Sequence, residues 1–132
     1  MAETKRVERP LSPFMIGPYY RPQMTSISSI TTRITGNALI VTVLLTAWWL
    51  LAAATSPGYF DFVNAIATSW FGDLLYTLSA WAVWYHFLAG LRHLYFDAGH
   101  GLEIETAEKL GWACFIGATV LTVLTIIIVA VI

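Results

Sequence analysis

The sequence predicts an all-α membrane protein: three transmembrane helices preceded by an extended N-terminal segment. Three observations predict it. First, 58% of the 132 residues are hydrophobic, 11% are charged, and the mean hydropathy is +0.69. A soluble domain of this size needs a polar shell that such a composition cannot supply. Second, the stretches Ile34 to Phe60, Leu74 to Leu91 and Leu110 to Ile132 contain no Asp, Glu, Lys or Arg. A helix needs about 20 mostly apolar residues to cross the hydrocarbon core, and it satisfies its own backbone hydrogen bonds there. Third, the seven basic residues are unevenly placed. Lys5, Arg6, Arg9, Arg21, Arg33, Arg92 and Lys109 precede the first span or surround the second loop. The first loop, about 56–69, has none and carries Asp61. The positive-inside rule then places the N-terminus and second loop in the cytoplasm and the C-terminus outside.

The whole chain, 1–132, reads as one membrane domain. Residues 1–28 form a polar cytoplasmic segment with Pro10, Pro13, Pro18 and Pro22. Such a segment is expected to lie extended against lipid or another subunit. It is acidic as well as basic, and no short apolar core follows it, so it reads neither as a cleaved signal nor as a transit peptide. The spans follow at about 34–55, 70–96 and 110–132. Trp48, Trp49, Tyr59, Trp70, Tyr95 and Trp112 fall near span ends, where interfacial anchoring is expected. Cys114 is the single cysteine, which excludes an internal disulfide and reads as a small packing residue. A net charge of −1 gives no sign of nucleic-acid binding.

The second span holds the chemistry. With about 100° per residue and His86 as zero, Ser79 falls at about +20°, Ala82 at −40°, Gly90 at +40°, His93 at −20° and Asp97 at +20°. One face therefore reads Ser79, Ala82, His86, Gly90, His93, Asp97, and Trp81 and Trp84 point away from it. His86 lies about 5 Å from mid-membrane on the cytoplasmic side, and ionisable residues at such depth usually face a bundle interior or a functional site. Two readings remain open. A neutral imidazole keeps a lone pair for a metal, and small neighbours on either side would leave room for a flat ligand such as a porphyrin. Alternatively, the histidine only bonds a neighbouring helix and the small residues serve close packing. His93 shares the helix and face of His86, so it cannot be a second axial ligand of the same iron. A haem would need a second chain.

The run "SISSITTRITG" (26–36) opens the first span. Ser29 and Arg33 are four apart and share a helical face. Arg33 reads either as an anchor snorkelling to the headgroups or as a donor to a haem propionate or a quinone carbonyl. Gly36 permits a close helix approach.

Three motifs occur in order: "RPLSP" (9–13), "SSITTRITG" (28–36) and "YHFLAGLRHLYFDAG" (85–99). Together they resemble the cytochrome b membrane-anchor subunit of succinate dehydrogenase (respiratory complex II) over essentially the whole chain. The resemblance implies a three-helix anchor within a hetero-oligomeric bundle, paired with a second anchor subunit, with one haem b held between them by one histidine from each. It also implies iron–sulfur and flavoprotein subunits as partners, membrane lipid around the helices, and ubiquinone as substrate. In that pattern His86 is the axial ligand of the haem iron, His93 and Arg33 lie on the propionate side, Ser29 and Arg33 meet ubiquinone, and Asp97 lies by the proton path. The chain has no site of its own for succinate. Thr32 stands where the family usually has a histidine that helps hold a propionate. The family and the N-terminal composition point to a bacterial inner (plasma) membrane, crossed three times, with the C-terminus periplasmic. A fumarate reductase anchor using menaquinol, or a haem-free structural anchor, are the rival readings.

Overall fold

The computed structural model describes Tyr20 and residues 22–132. Of the segment expected to be extended, 1–28, residues 1–19 and 21, including "RPLSP", lie outside the described residues, and 24–28 are helical. Four helices follow one another: α1 (Met24–Thr55), α2 (Pro57–Ala67), α3 (Trp70–Asp97) and α4 (Ile104–Val131). Helices α1, α3 and α4 are long and apolar enough to cross a membrane.

Helix α1 starts at Met24, well before residue 34, because its hydroxyl-rich beginning is helical. Pro22 lacks an N–H and is tolerated only at a helix start, so α1 begins just after it. Ser26 Oγ caps the start, accepting from Gln23 N–H at 3.1 Å and donating to the Gln23 carbonyl at 2.8 Å. Further along, Thr31, Thr32, Thr35, Thr42, Thr46 and Thr55 each donate to the carbonyl four residues back. A hydroxyl satisfied on its own helix can lie in lipid without an outside partner.

Ser56-Pro57 ends α1 and begins α2. Proline cannot continue α1, extended Ser56 accepts from Tyr59 N–H at 3.4 Å, and Pro57 takes the first turn of α2. The loop expected at 56–69 is thus largely a helix. At 11 residues, α2 is too short to span and folds back on α1. Trp48 Nε1 donates to Tyr59 Oη at 2.8 Å and Trp49 Nε1 to Asn64 Oδ1 at 3.1 Å. Besides the interfacial anchoring expected of them, these aromatics pin α2 to α1. Trp70 and Trp112 remain exposed. A sharp corner then leads to α3, where a Cβ on Gly72 would lie 2.1 Å from the Ala67 carbonyl oxygen, so only glycine fits.

Helix α3 is the middle helix, packed on α1 on one side and α4 on the other. Gly99 (φ 79°) and Gly101 (φ 69°) turn the chain from α3 to α4 in the left-handed conformation that glycine adopts freely. The α3–α4 seam contains the core, Tyr85, Ala89, Cys114 and Ala118, flanked by Trp81, Trp84, Leu88 and Phe115. Cys114 is buried, as its packing role requires. Most other large apolar side chains point outward.

Candidate functional site

The α1–α3 seam is built on a seven-residue spacing of hydroxyls. Ser28, Thr35 and Thr42 lie on one stripe of α1, and each meets α3. Thr42 Oγ1 lies 2.8 Å from Ser79 Oγ. Thr35 Oγ1 lies 3.3 Å from His86 Nδ1. Ser28 meets both Tyr85 and Arg92. These contacts fix an antiparallel register: Ser79 opposite Thr42, His86 opposite Thr35, Arg92 opposite Ser28.

His86 is half-buried at the edge of this seam. Its Nδ1 lies 3.2 Å from the Thr32 carbonyl oxygen as well as near Thr35 Oγ1. The carbonyl can only accept. The Thr35 proton already points to the carbonyls of Thr31 and Thr32, at 2.9 and 3.0 Å, so Thr35 Oγ1 also accepts here. Nδ1 is therefore the donor, which in a neutral imidazole leaves the lone pair on Nε2. That is the tautomer a metal ligand needs, with its second N–H held by a backbone carbonyl. Gly36 makes the approach possible: a Cβ there would stand 3.0 Å from His86 Cε1. Beside His86 on α3, a Cβ at Gly90 would meet nothing within 4 Å.

The other sequence-selected residues lie on α1 and α3 near the level of His86 or beyond it toward the α3–α4 turn. Ser29 and Gly36, seven apart, project within about 20° of each other, and Arg33 lies about 60° further round. Gly36 faces His86, while Ser29 lies about 100° and Arg33 about 140° round α1 from Ser28, which meets α3. The register brings His93 level with Ser28 and Ser29, and Arg33 between the levels of His86 and His93. Ser29 is half-buried, and Arg33, His93 and Asp97 are exposed. Asp97 is the last residue of α3.

Two expectations are corrected. Ser79 and Ala82 do not keep space open beside His86. Both are buried, and Ser79 bonds Thr42, because α1 lies across them. The open side is instead the flank carrying Gly90 and His93. Arg92, counted at first only as a loop-side charge, lies inside α3 and is 7% exposed. Its NH1 donates to Ser28 Oγ, and its guanidinium lies 5.2 Å from the centre of the Phe96 ring. Ser28, Tyr85 and Arg92 form the buried polar cluster that reading the motifs passed over. The hydroxyl spacing 28–35–42 was the available signal.

Among the described residues no three His, Cys, Asp or Glu side chains come together. A metal at His86 therefore needs donors from elsewhere, and a porphyrin supplies four. One well-oriented imidazole on an exposed flank is what this chain would contribute, so the residues present fit a haem.

Three apolar helices, and a backbone-carbonyl contact to Nδ1 of one intramembrane histidine on an open flank, define a helical membrane subunit of the anchor class. The chain belongs to the succinate dehydrogenase/fumarate reductase transmembrane subunit family, whose profile matches residues 5–126. It is 52% identical to the succinate dehydrogenase cytochrome b556 subunit of Paracoccus denitrificans, covering 97% of each chain. The cytochrome b556 subunit of Rickettsia conorii is 32% identical over 94% of this chain and 98% of its own. The cytochrome b560 subunit of Marchantia polymorpha is 32% identical, covering 92% and 91%.

Proposed function

We propose that this chain anchors the iron–sulfur and flavoprotein subunits of a succinate dehydrogenase to the membrane, shares one haem b with a second anchor subunit, and forms part of the ubiquinone-reduction site. The observation that carries the reading is the His86 imidazole, fixed through Nδ1 with its Nε2 lone pair free. The names of its relatives favour succinate oxidation over a menaquinol-using fumarate reductase.

In this reading His86 would hold the haem through its imidazole together with a histidine of the second anchor subunit, and His93 and Arg33 would bind its propionates. When bound, the haem supplies a one-electron carrier beside the quinone. Succinate is oxidised in the flavoprotein, and its two electrons reach ubiquinone through the iron–sulfur subunit. Quinone reduction to quinol also takes up two protons. Ser29 donates a hydrogen bond to a quinone carbonyl oxygen, orienting the ring. Arg33 stabilises the negative charge that develops on that oxygen before protonation. Asp97, at the rim of the same flank, lies where protons enter from the cytoplasm. Thr32 leaves the axial position intact and shifts propionate binding toward Arg33, His93 and the partner.

The test compares quinone-linked with dye-linked succinate oxidation in membranes. Ser29→Ala and Arg33→Lys should each lower that ratio about tenfold, since each weakens a bond that strengthens as charge develops. Lysine keeps the charge but not the planar fork. An unchanged ratio in both variants would reduce the start of α1 to an anchor. Topology supplies a second check: a reporter after Ile132 should read as periplasmic, and one near His100 as cytoplasmic. The reverse would put the quinone site on the wrong side of the membrane for a cytoplasmic dehydrogenase.

A further inference from the structure

The third tie between α1 and α3 differs from the other two. Two α3 side chains close on one residue. Tyr85 Oη donates to the Ser28 carbonyl oxygen at 3.0 Å and lies 2.9 Å from Ser28 Oγ, while Arg92 NH1 donates to the same Oγ. The proton count closes in only one way. A phenol has one proton, which goes to the carbonyl. The Ser28 proton therefore goes to the phenol oxygen, and a remaining lone pair on Ser28 Oγ accepts from the guanidinium.

The arrangement is costly. Ser28 and Tyr85 are 0% exposed and Arg92 is 7% exposed. A guanidinium cannot shed its charge. Among the described residues the one ion pair is Lys109–Glu105, elsewhere, and Arg92 Nε has no hydrogen-bond partner. Neutral pairs such as Thr42–Ser79 suffice to join the same two helices further along. The added donors act on a particular atom, the Ser28 carbonyl, which belongs to the planar peptide joining Ser28 to Ser29. Holding that oxygen holds the plane from which the Ser29 side chain departs. Without it, the first turns of α1 would be tied to α3 only from the Thr32 carbonyl onward, and helix starts lack part of their backbone bonding and fray.

We propose that Tyr85 and Arg92 are positioning residues for quinone reduction: by pinning Ser28 they set the direction of the neighbouring Ser29 hydroxyl. The proposal rests on Ser29 as a quinone donor. Tyr85→Phe removes one hydroxyl and keeps the ring between Trp81 and Phe115, 5.1 and 4.8 Å away centre to centre.

The experiment is a double-mutant cycle on the intact complex in membranes, reading the KM for ubiquinone and kcat, normalised to dye-linked succinate oxidation. Ser29→Ala and Tyr85→Phe should each raise KM, by about three- to tenfold, the range for one lost hydrogen bond, and also lower kcat, since the bond to the quinone strengthens as charge develops. The double variant should be no worse than Ser29→Ala alone, since Tyr85 has nothing to position once the hydroxyl is gone. Arg92→Lys should show the same non-additivity. The haem spectrum of Tyr85→Phe should match wild type. The proposal is overturned if Tyr85→Phe leaves KM unchanged while Ser29→Ala raises it, if the two effects multiply, or if the haem spectrum shifts and so routes the effect through His86. An unchanged KM in Ser29→Ala would sink the quinone-donor reading and this proposal with it.

Discussion

The two seams of α3 are held by different means. Toward α4, aromatic bulk interlocks with small residues: Tyr85 lies against Phe115, and Ala89, Cys114 and Ala118 are buried. Its polar contacts are indole to hydroxyl, Trp81 Nε1 to Thr119 at 3.1 Å and Trp84 Nε1 to Thr125 at 3.0 Å. Toward α1, hydroxyl, imidazole, phenol and guanidinium groups meet instead. In lipid, apolar side chains gain little by leaving lipid tails for one another, so association rests on shape and hydrogen bonds. Shape tolerates small slips, whereas directional bonds do not. The α3–α4 seam therefore serves cohesion, and the α1–α3 seam holds in place the atoms assigned to the proposed haem and quinone.

The largest expected effect tests that division directly. His86→Ala should lower the haem content of the purified complex at least tenfold, as the reduced-minus-oxidised spectrum reports, because the chain's one axial bond is lost. Trp84→Phe, two residues away but on the other seam, should leave the spectrum intact. His93→Ala should fall between them. A low-spin spectrum that survives His86→Ala would remove this residue as the ligand.

Adding the same methyl group to each seam comes next. A Cβ at Gly36 would lie 3.0 Å from His86 Cε1, and one at Gly117 2.8 Å from Leu88 Cδ1. The Leu88 methyl ends a flexible side chain and can swing aside. The His86 ring is fixed through Nδ1 and cannot move without disturbing Nε2. Gly36→Ala should thus shift the haem spectrum and lower haem occupancy severalfold. Gly117→Ala should leave both unchanged, with any packing strain offset by the gain of about 1 kcal/mol in helix propensity. Equal haem loss in the two variants would end the distinction between the seams.

The smallest effect is a comparison bond for bond. Thr42→Val and Trp84→Phe each remove one neutral hydrogen bond between helices, on opposite seams and away from His86. Each should cost about 0.6 kcal/mol, the average for such bonds within membranes, read as a small fall in thermal stability with activity retained. A much larger loss for Thr42→Val would mean that the hydroxyl stripe also carries the cohesion of the bundle.

Much of this was legible in the sequence, for particular reasons. Charge-free length gave the three long helices, since only a helix can hide its backbone in lipid. The position of His86 gave the site, since an intramembrane imidazole is rare. The four-residue spacing put Ser29 and Arg33 together. What the sequence could not supply was the rotation of each helix about its axis. A helix apolar nearly all round has no single stripe that names its buried side. Ser28 and Ser29 are therefore equivalent in composition, yet one is locked beneath Tyr85 and Arg92 while the other, about 100° round the helix, is only half-buried. The same ambiguity hid the burial of Ser79 and Ala82 and the tie of Trp48 and Trp49 to α2. Only the packing of α1 across α3 decided which hydroxyl became a pin, which nitrogen of His86 kept its lone pair, and which side of the pair stayed open, because each depends on contacts between residues about 40 to 60 positions apart that no local periodicity encodes.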